Sequence, residues 1–155
     1  MTKDQALAGT IGGILLPLFE FFYGEGKAVL GAVLALAFFI GLDWLSGTSA
    51  ARKDRTYASH YGIDGVFRSF FMLLLPAGGH LLDEVLMSPG IVFGVLVAGL
   101  LYHTIKSMTA NAVRAGWANW LPISVIDLVT EWVQSEIESK LSRSLQRRDD
   151  RSIGR

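Results

Sequence analysis

The chain has no cysteine among its 155 residues, which excludes disulfides, thiolate metal sites and cysteine nucleophiles. Charge is also scarce, at 18% of residues, whereas soluble domains carry about 25%. No strand pattern, phosphate-binding glycine loop or G-x-S-x-G elbow occurs, and Ser, His and Asp are too dispersed to form a triad. The three histidines lack metal-ligand spacing. We therefore predict no catalytic residue, no cofactor and no metal site: the protein is not an enzyme.

Apolar residues are abundant instead, at 51% of the chain with a mean hydropathy of +0.40. They concentrate in four blocks, at residues 6–23, 28–45, 63–82 and 89–105. A membrane-spanning helix needs about 20 mainly apolar residues. The sequence therefore predicts an all-α integral membrane protein with about four transmembrane helices. Two rival interpretations are a signal peptide for the first block, although it lacks a cleavage site, and a surface helix for the third.

The positions of the basic residues predict a topology. Of the fourteen Lys and Arg residues, all but Lys27 lie on one side when the four blocks cross in turn. Loops rich in Lys and Arg stay cytoplasmic. We therefore expect a multi-pass protein of the bacterial cytoplasmic membrane with both termini in the cytoplasm. The outer turn at 83–89 lacks Lys and Arg, and we expect Ser88 to cap and Pro89 to open the fourth helix.

The pattern changes after Pro122. Apolar residues recur at steps of three and four, which predicts an amphipathic helix. It could lie on the inner leaflet or pair with copies of itself. We divide the chain into a transmembrane domain (1–116), an amphipathic cytoplasmic or interfacial helix (117–146) and a basic disordered tail (147–155). The tail is short and interrupted by acidic residues, so we expect it to bind anionic lipid headgroups and not nucleic acid. The apolar positions are Ile126, Val129, Val133, Ile137, Leu141 and Leu145.

Two sets of residues within the blocks predict helix contacts. Asp43 shares a helix face with Gly47, and its carboxylate must face protein or water because lipid excludes charge. Arg68 lies at a similar depth and is its candidate partner. Gly90 and Gly94 form a G-x-x-x-G motif that permits close approach of another helix. That motif fits either packing within one monomer or self-association into an oligomer whose polar faces line water.

Several short motifs then resemble the toxin-secretion/phage-lysis holin family. An apolar run leads into Asp43-x-x-x-Gly47-x-x-x-Ala51, and S-H-Y-G-I-D-G at residues 59–65 precedes Arg68 in the usual basic position. Asp83 matches the acid that closes the third block, and residues 107–116 resemble the run that follows the fourth. The resemblance covers residues 28–122. The chain departs from the family at Thr104 and Ala110, where glutamate is common, in the later position of Leu121-Pro122 after Gly116, and in its long helical tail.

The resemblance implies a holin. Such proteins form homo-oligomers among the lipids of the bacterial cytoplasmic membrane and open lesions that release endolysin, which triggers lysis of the phage host. Endolysin is thus a functional partner, with no direct binding implied. Alternatives are a small channel or transporter using Glu20, His80 and His103, or a non-conducting antiholin-type partner. The candidate assembly or pore-facing residues are Asp43, Gly47, Arg68 and Asp83, with Gly90 and Gly94 as contact residues.

Overall fold

A computed structural model describes the backbone of residues 3–153 and the side chains of residues 12–58, 63–143 and 146. The described chain is helical, which confirms the predicted all-α class. A short 3₁₀ turn, Trp117–Asn119, separates the last two helices. In chain order the helices are α1 (Lys3–Tyr23), α2 (Lys27–Lys53), α3 (Ser59–Leu86), α4 (Ile91–Ala115) and α5 (Ile123–Ile153).

Three of these helices are long and apolar enough to cross a membrane: α2, the Ile63–Leu86 part of α3, and α4. The third apolar block, for which the sequence left a surface helix open, thus has the length and composition of a span. The first block contributes a shorter apolar segment, Gly12–Tyr23. A crossing by α1, and with it the count of four, stays a prediction.

Helices α2 and α4 share the largest interface, and α3 packs against both. One apolar cluster joins Val33 of α2 to Phe93 and Val97 of α4. A second joins Leu36 and Ile40 of α2 to Met72 of α3. Other large apolar side chains point outward, and Phe67 and Phe71 of α3 are 71% and 64% exposed. This arrangement fits lipid, because acyl chains solvate apolar side chains as well as a protein interior does.

The turn between α3 and α4 is fixed by Asp83. Its carboxylate accepts hydrogen bonds from the backbone N–H groups of Val92, at 3.0 Å, and Phe93, at 2.8 Å. These are donors of the first turn of α4 that have no partner inside the helix. The expected cap is therefore wrong. The Ser88 hydroxyl donates to Asp83 instead, and α4 begins two residues after Pro89, at Ile91.

The closest approach of α3 and α4 occurs at Gly79. A Cβ atom there would lie 3.2 Å from backbone atoms of Phe93 and 2.8 Å from the Leu96 side chain. Gly90 and Gly94, the predicted contact glycines, are exposed, and a Cβ at either would meet no atom within 4 Å. Their motif is thus not used for packing within the described monomer. Gly90 instead supplies the left-handed backbone before α4, with φ of 71°.

Helix α1 is attached mainly through α3. The Tyr23 hydroxyl donates to the Leu73 carbonyl at 3.0 Å, in the turn of α3 that precedes Pro76. The imidazole of His80 lies against Gly24, where a Cβ would be 3.0 Å from the ring. The Tyr23 hydrogen bond and the contact between His80 and Gly24 thus join the α1–α2 turn to α3.

Helix α5 folds back onto α4, with Thr130 fully buried. The helix continues to Ile153, through residues for which the sequence predicted disorder. Residues 147–153 contain Arg, Asp, Ser and Ile but no Gly or Pro, and arginine favours helix. The division of the chain at residues 116/117 and 146/147 stays a prediction.

Candidate functional site

The polar residues of the bundle collect at the end that carries Arg52, Lys53 and Arg114, which we call the basic end. Asp43 lies sixteen residues from the start of α2, or about 24 Å at about 1.5 Å per residue. Arg68 lies eighteen residues from the far end of α3, or about 27 Å. A hydrocarbon core is about 30 Å thick. In helices that cross such a core from those ends, both groups would lie inside it, close to its edge on the basic side.

Asp43 is the centre of this site. Its side chain is 4% exposed, and Oδ2 accepts a hydrogen bond from Nη2 of Arg68 at 2.9 Å. Its Oδ1 accepts one from the Asn111 amide at 3.2 Å. The predicted partner is thus in place, and α4 supplies a second one. A buried carboxylate loses its hydration, so these two bonds are what offset the cost of keeping it charged.

The hydrogen bonds continue from Asn111 toward the α2–α3 loop. The Arg114 guanidinium donates to the side-chain Oδ1 of Asn111 at 3.3 Å and to Asp54 Oδ2 at 2.5 Å. Both Arg114 and Asp54 are more than one-third exposed. We call the five residues Arg68, Asp43, Asn111, Arg114 and Asp54 the polar network. It links α2, α3 and α4, with Asp43 buried inside it and the side chains of Arg68 and Arg114 each more than half exposed.

Small residues lie beside this network. A Cβ at Gly47 would lie 3.4 Å from the Asn111 side-chain amide nitrogen, an ordinary van der Waals contact. A Cβ at Gly65 would lie 2.6 Å from the indole ring of Trp44. Glycine at position 65 thus leaves room for the Trp44 ring between α3 and α2 at the basic end, whereas Gly47 faces Asn111 of α4 at normal contact distance.

An open cleft of ≈ 450 Å³ lies beside the network. Asp64 and Arg68 of α3 line it, together with Trp44 and Thr48 of α2. Among the described side chains, no three His, Asp or Glu residues lie close enough to hold a metal ion. The cleft thus has charged, polar and aromatic side chains on its walls.

Residues 18–122 match the bacteriophage holin family. This match covers more than half of the chain. The protein belongs to the bacteriophage holin family. A curated protein of Halalkalibacterium halodurans, described only as uncharacterized, is 28% identical over 117 residues, which are 72% of this chain and 84% of the relative. No solved structure matches the chain.

Membership in the holin family confirms the resemblance found in the sequence and indicates a non-enzymatic membrane protein. The matched segment contains the whole polar network and the helices α2, α3 and α4. Helix α5 begins at Ile123, just beyond the match. The bundle is thus the part shared with the family, and α5 is outside it.

The structure brings only some of the predicted site residues together. Asp43, Arg68 and Gly47 meet at the basic end, whereas Asp83 lies at the opposite end as a helix cap. Gly90 and Gly94 lie on the outside of α4. Their roles in assembly, or as pore-facing residues, stay predictions.

The sequence did not lead us to predict the contacts of two residues, Asn111 and Gly79. Asn111 stands in the family-like run but was not named as a partner of Asp43. Its signal is a polar amide on the same side of α4 as Thr104 and Met108, both buried. Gly79 was also missed, although a glycine pair in a helix shortly after Pro76 is a sign of close packing.

Proposed function

We propose that this protein is a holin that accumulates in the bacterial cytoplasmic membrane and oligomerises into lesions. The lesions release an endolysin from the cytoplasm, which then degrades the cell wall and lyses the host. Family membership supports the holin assignment. The polar network supports the mechanism, because it places a buried carboxylate in a bundle of membrane length.

The single observation behind the mechanism is the burial of Asp43. In the monomer, this carboxylate is 3% exposed and is neutralised by one arginine that is itself 55% exposed. A charge held in this way costs free energy that exposure to water would recover. In an oligomer whose polar faces line water, Asp43 and Gly47 would face the lumen. Assembly would therefore lower the free energy of the Asp43 carboxylate.

The concentration of monomers in the membrane sets the time at which assembly begins. Association of copies is favoured by mass action, so the assembled state becomes populated only after enough monomers have accumulated. The exposed Gly90 and Gly94 offer α4 of one copy a place where a helix of another copy can approach closely. Within one monomer, that surface is open.

The proposed topology places the basic end in the cytoplasm. Arg52, Lys53, Arg55 and Arg114 lie at that end, in agreement with the preference of basic loops for the inner side. With α1 crossing as well, both termini are cytoplasmic. The opposite end, with the Asp83 turn, is then periplasmic or external.

The decisive experiment is inducible expression in a bacterium that also makes an endolysin without a signal peptide. We expect growth to continue normally and then to stop abruptly with lysis. Cells that express either protein alone provide the controls, and those with endolysin alone should not lyse. If the endolysin stays inside cells whose membranes contain the protein, the proposal is wrong.

Among the described side chains, the residues named for a channel or transporter do not come together. His80 packs against Gly24, His103 is exposed on α4, and Glu20 lines a separate small cavity beside Lys27. We therefore advance no second function. Leakage of a small dye without release of a cytoplasmic enzyme would point to a channel, and delayed lysis on co-expression with another holin would point to an antiholin.

A further inference from the structure

The first half of α5 has three distinct faces. One packs toward α4 and is buried or half-buried, one is polar and exposed, and one is apolar and exposed. The third face is unusual because Leu128 is 65% exposed and Trp132 is 67% exposed. The face toward α4 consists of Ile126, Thr130, Val133 and Ile137. The polar face consists of Ser124, Glu131, Gln134 and Glu138. The exposed apolar face consists of Val125, Leu128, Val129 and Trp132.

The attachment of α5 to α4 fixes the depth of this apolar face. Nζ of Lys106 lies 4.0 Å from Oδ1 of Asp127. Lys106 is fifteen residues from the start of α4 at Ile91, or about 22 Å along the helix. The hydrocarbon core is about 30 Å thick. Measured from Ile91, Lys106 and the start of α5 therefore lie within the thickness of such a core, in its half on the basic side.

We propose that Val125, Leu128, Val129 and Trp132, which we call the lipid face of α5, insert into the leaflet on the basic side of the membrane. Trp120, 67% exposed in the turn before α5, would join them. Tryptophan collects at this depth, where its ring is apolar and its N–H reaches polar partners. Interfacial helices bury their apolar face by about 5–10 Å.

All three faces of α5 agree with this placement. A helix that lies in the interface beside a bundle has protein on one side, acyl chains on a second and water on the third. The polar face, with Glu131 and Gln134, is the one that water would cover. A helix standing upright in the lipid would instead bury those groups at high cost.

Pairing with a second copy fits less well, because the lipid face is short. One to three turns beyond Trp132, the same side of the helix carries Glu136, Ser139 and Arg143. Glu136 lies 3.8 Å from Lys140 and 3.7 Å from Arg143. The apolar stretch thus covers about two turns, whereas a coiled coil needs at least three heptads.

The test uses the full-length protein in vesicles of phosphatidylethanolamine and phosphatidylglycerol that carry bromine on the acyl chain near the headgroup. In one variant, Trp44, Trp117 and Trp120 are replaced by phenylalanine, which leaves Trp132 as the fluorophore. We expect bromine to remove most of its emission, with aqueous iodide having little effect. The matched control adds Trp132→Phe and Gln134→Trp, which moves the fluorophore to the polar face, and the two quenchers should then exchange roles.

Each other outcome overturns the proposal. Quenching of Trp132 by iodide would place the face in water. Protection from both quenchers would mean that protein covers it, as a second copy would. Because the experiment reports position and not lysis, its result is independent of the proposed holin function.

A second measurement keeps all tryptophans and exploits the absence of cysteine. Leu128→Cys and Gln134→Cys are compared for labelling by a membrane-impermeant maleimide in vesicles that expose the basic side. We expect Gln134→Cys to react at once and Leu128→Cys to react only after detergent is added. Equal labelling of the two before detergent would contradict insertion.

Discussion

The two ends of the bundle are held together in different ways. At the end with the α3–α4 turn, the Asp83 carboxylate binds backbone N–H groups, and Gly79 brings the two backbones into contact. At the basic end, the contacts join side chains: Asp43 to Arg68, and Asn111 to Arg114. Backbone contacts fix one geometry, whereas side chains can change partners by rotation.

The difference indicates where the bundle would open in the proposed assembly. A change of partner at the basic end needs only rotamer changes and exposure to water, while the Asp83 turn would have to unfold. We therefore expect the basic end to separate first during assembly and the turn to act as a hinge between α3 and α4. The following predictions test this contrast, beginning with the largest expected effect.

Removal of Arg68 should have the largest effect on stability. Arg68→Ala leaves the buried Asp43 carboxylate with Asn111 as its remaining partner. We expect a loss of about 3 kcal/mol, at the lower end for a broken buried pair because Arg68 is partly solvated. Unfolding in mixed detergent micelles would measure it. Arg68→Lys should recover part of the loss, and an Arg68→Ala protein as stable as wild type would show that the pair does not hold the basic end.

A methyl group at Gly79 should have the next largest effect. The new Cβ would approach the Phe93 backbone and the Leu96 side chain, and we expect Gly79→Ala to cost about 2 kcal/mol through overpacking. Gly78→Ala is the matched control, because its Cβ would meet no atom within 4 Å. Thermal unfolding of both variants in the same detergent provides the comparison. Equal melting temperatures would rule out the close α3–α4 contact.

Loss of the Asp83 cap should have a smaller effect. Asp83→Ala removes the acceptor of two backbone N–H groups of α4, and we expect a cost of about 1–2 kcal/mol. The neighbouring acid Glu84 is exposed, so Glu84→Ala should be nearly neutral. Amide hydrogen exchange at Val92 and Phe93 should rise in the first variant alone. Unchanged protection there would contradict the capping role.

The exposed end of the polar network should matter least. Arg114→Ala breaks the contact with Asp54, in which both groups are partly solvated. Such pairs contribute about 0–1 kcal/mol, so the stability should change little. A loss as large as that of Arg68→Ala would mean that the network acts as one unit, in which the exposed Arg114–Asp54 pair matters as much as the contacts of buried Asp43.

Much of the bundle could be predicted from sequence because its causes are local. Apolar runs of sufficient length located the helices that are long and apolar enough to cross a membrane, and the cost of a charge in lipid led from Asp43 to Arg68. The position of Asn111 beside Asp43 could not be derived in this way, since it depends on how α4 is rotated against α2. The same rotation decides that Gly79, and not Gly94, meets a neighbouring helix.

The cap at the α3–α4 turn and the faces of α5 were harder to predict from sequence, for a related reason. Ser88 has the residue type of a helix cap, but the carboxylate of Asp83, five residues earlier, reaches the same donors. In α5, the periodicity located one apolar stripe, whereas the structure divides its members between the face that packs on α4 and the exposed face. Val129 is 44% exposed, although the stripe grouped it with half-buried Val133.

The most direct test of the central claim compares the onset of lysis for Arg68→Ala and Asp43→Leu at equal amounts of protein in the membrane. Without Arg68, the carboxylate gains more from facing water, so lysis should begin earlier than with the wild type. Without the carboxylate that gain disappears, so lysis should begin later or not at all. If both variants shift the onset in the same direction, or neither shifts it, Asp43 is merely a packing residue and the proposed mechanism of assembly is wrong.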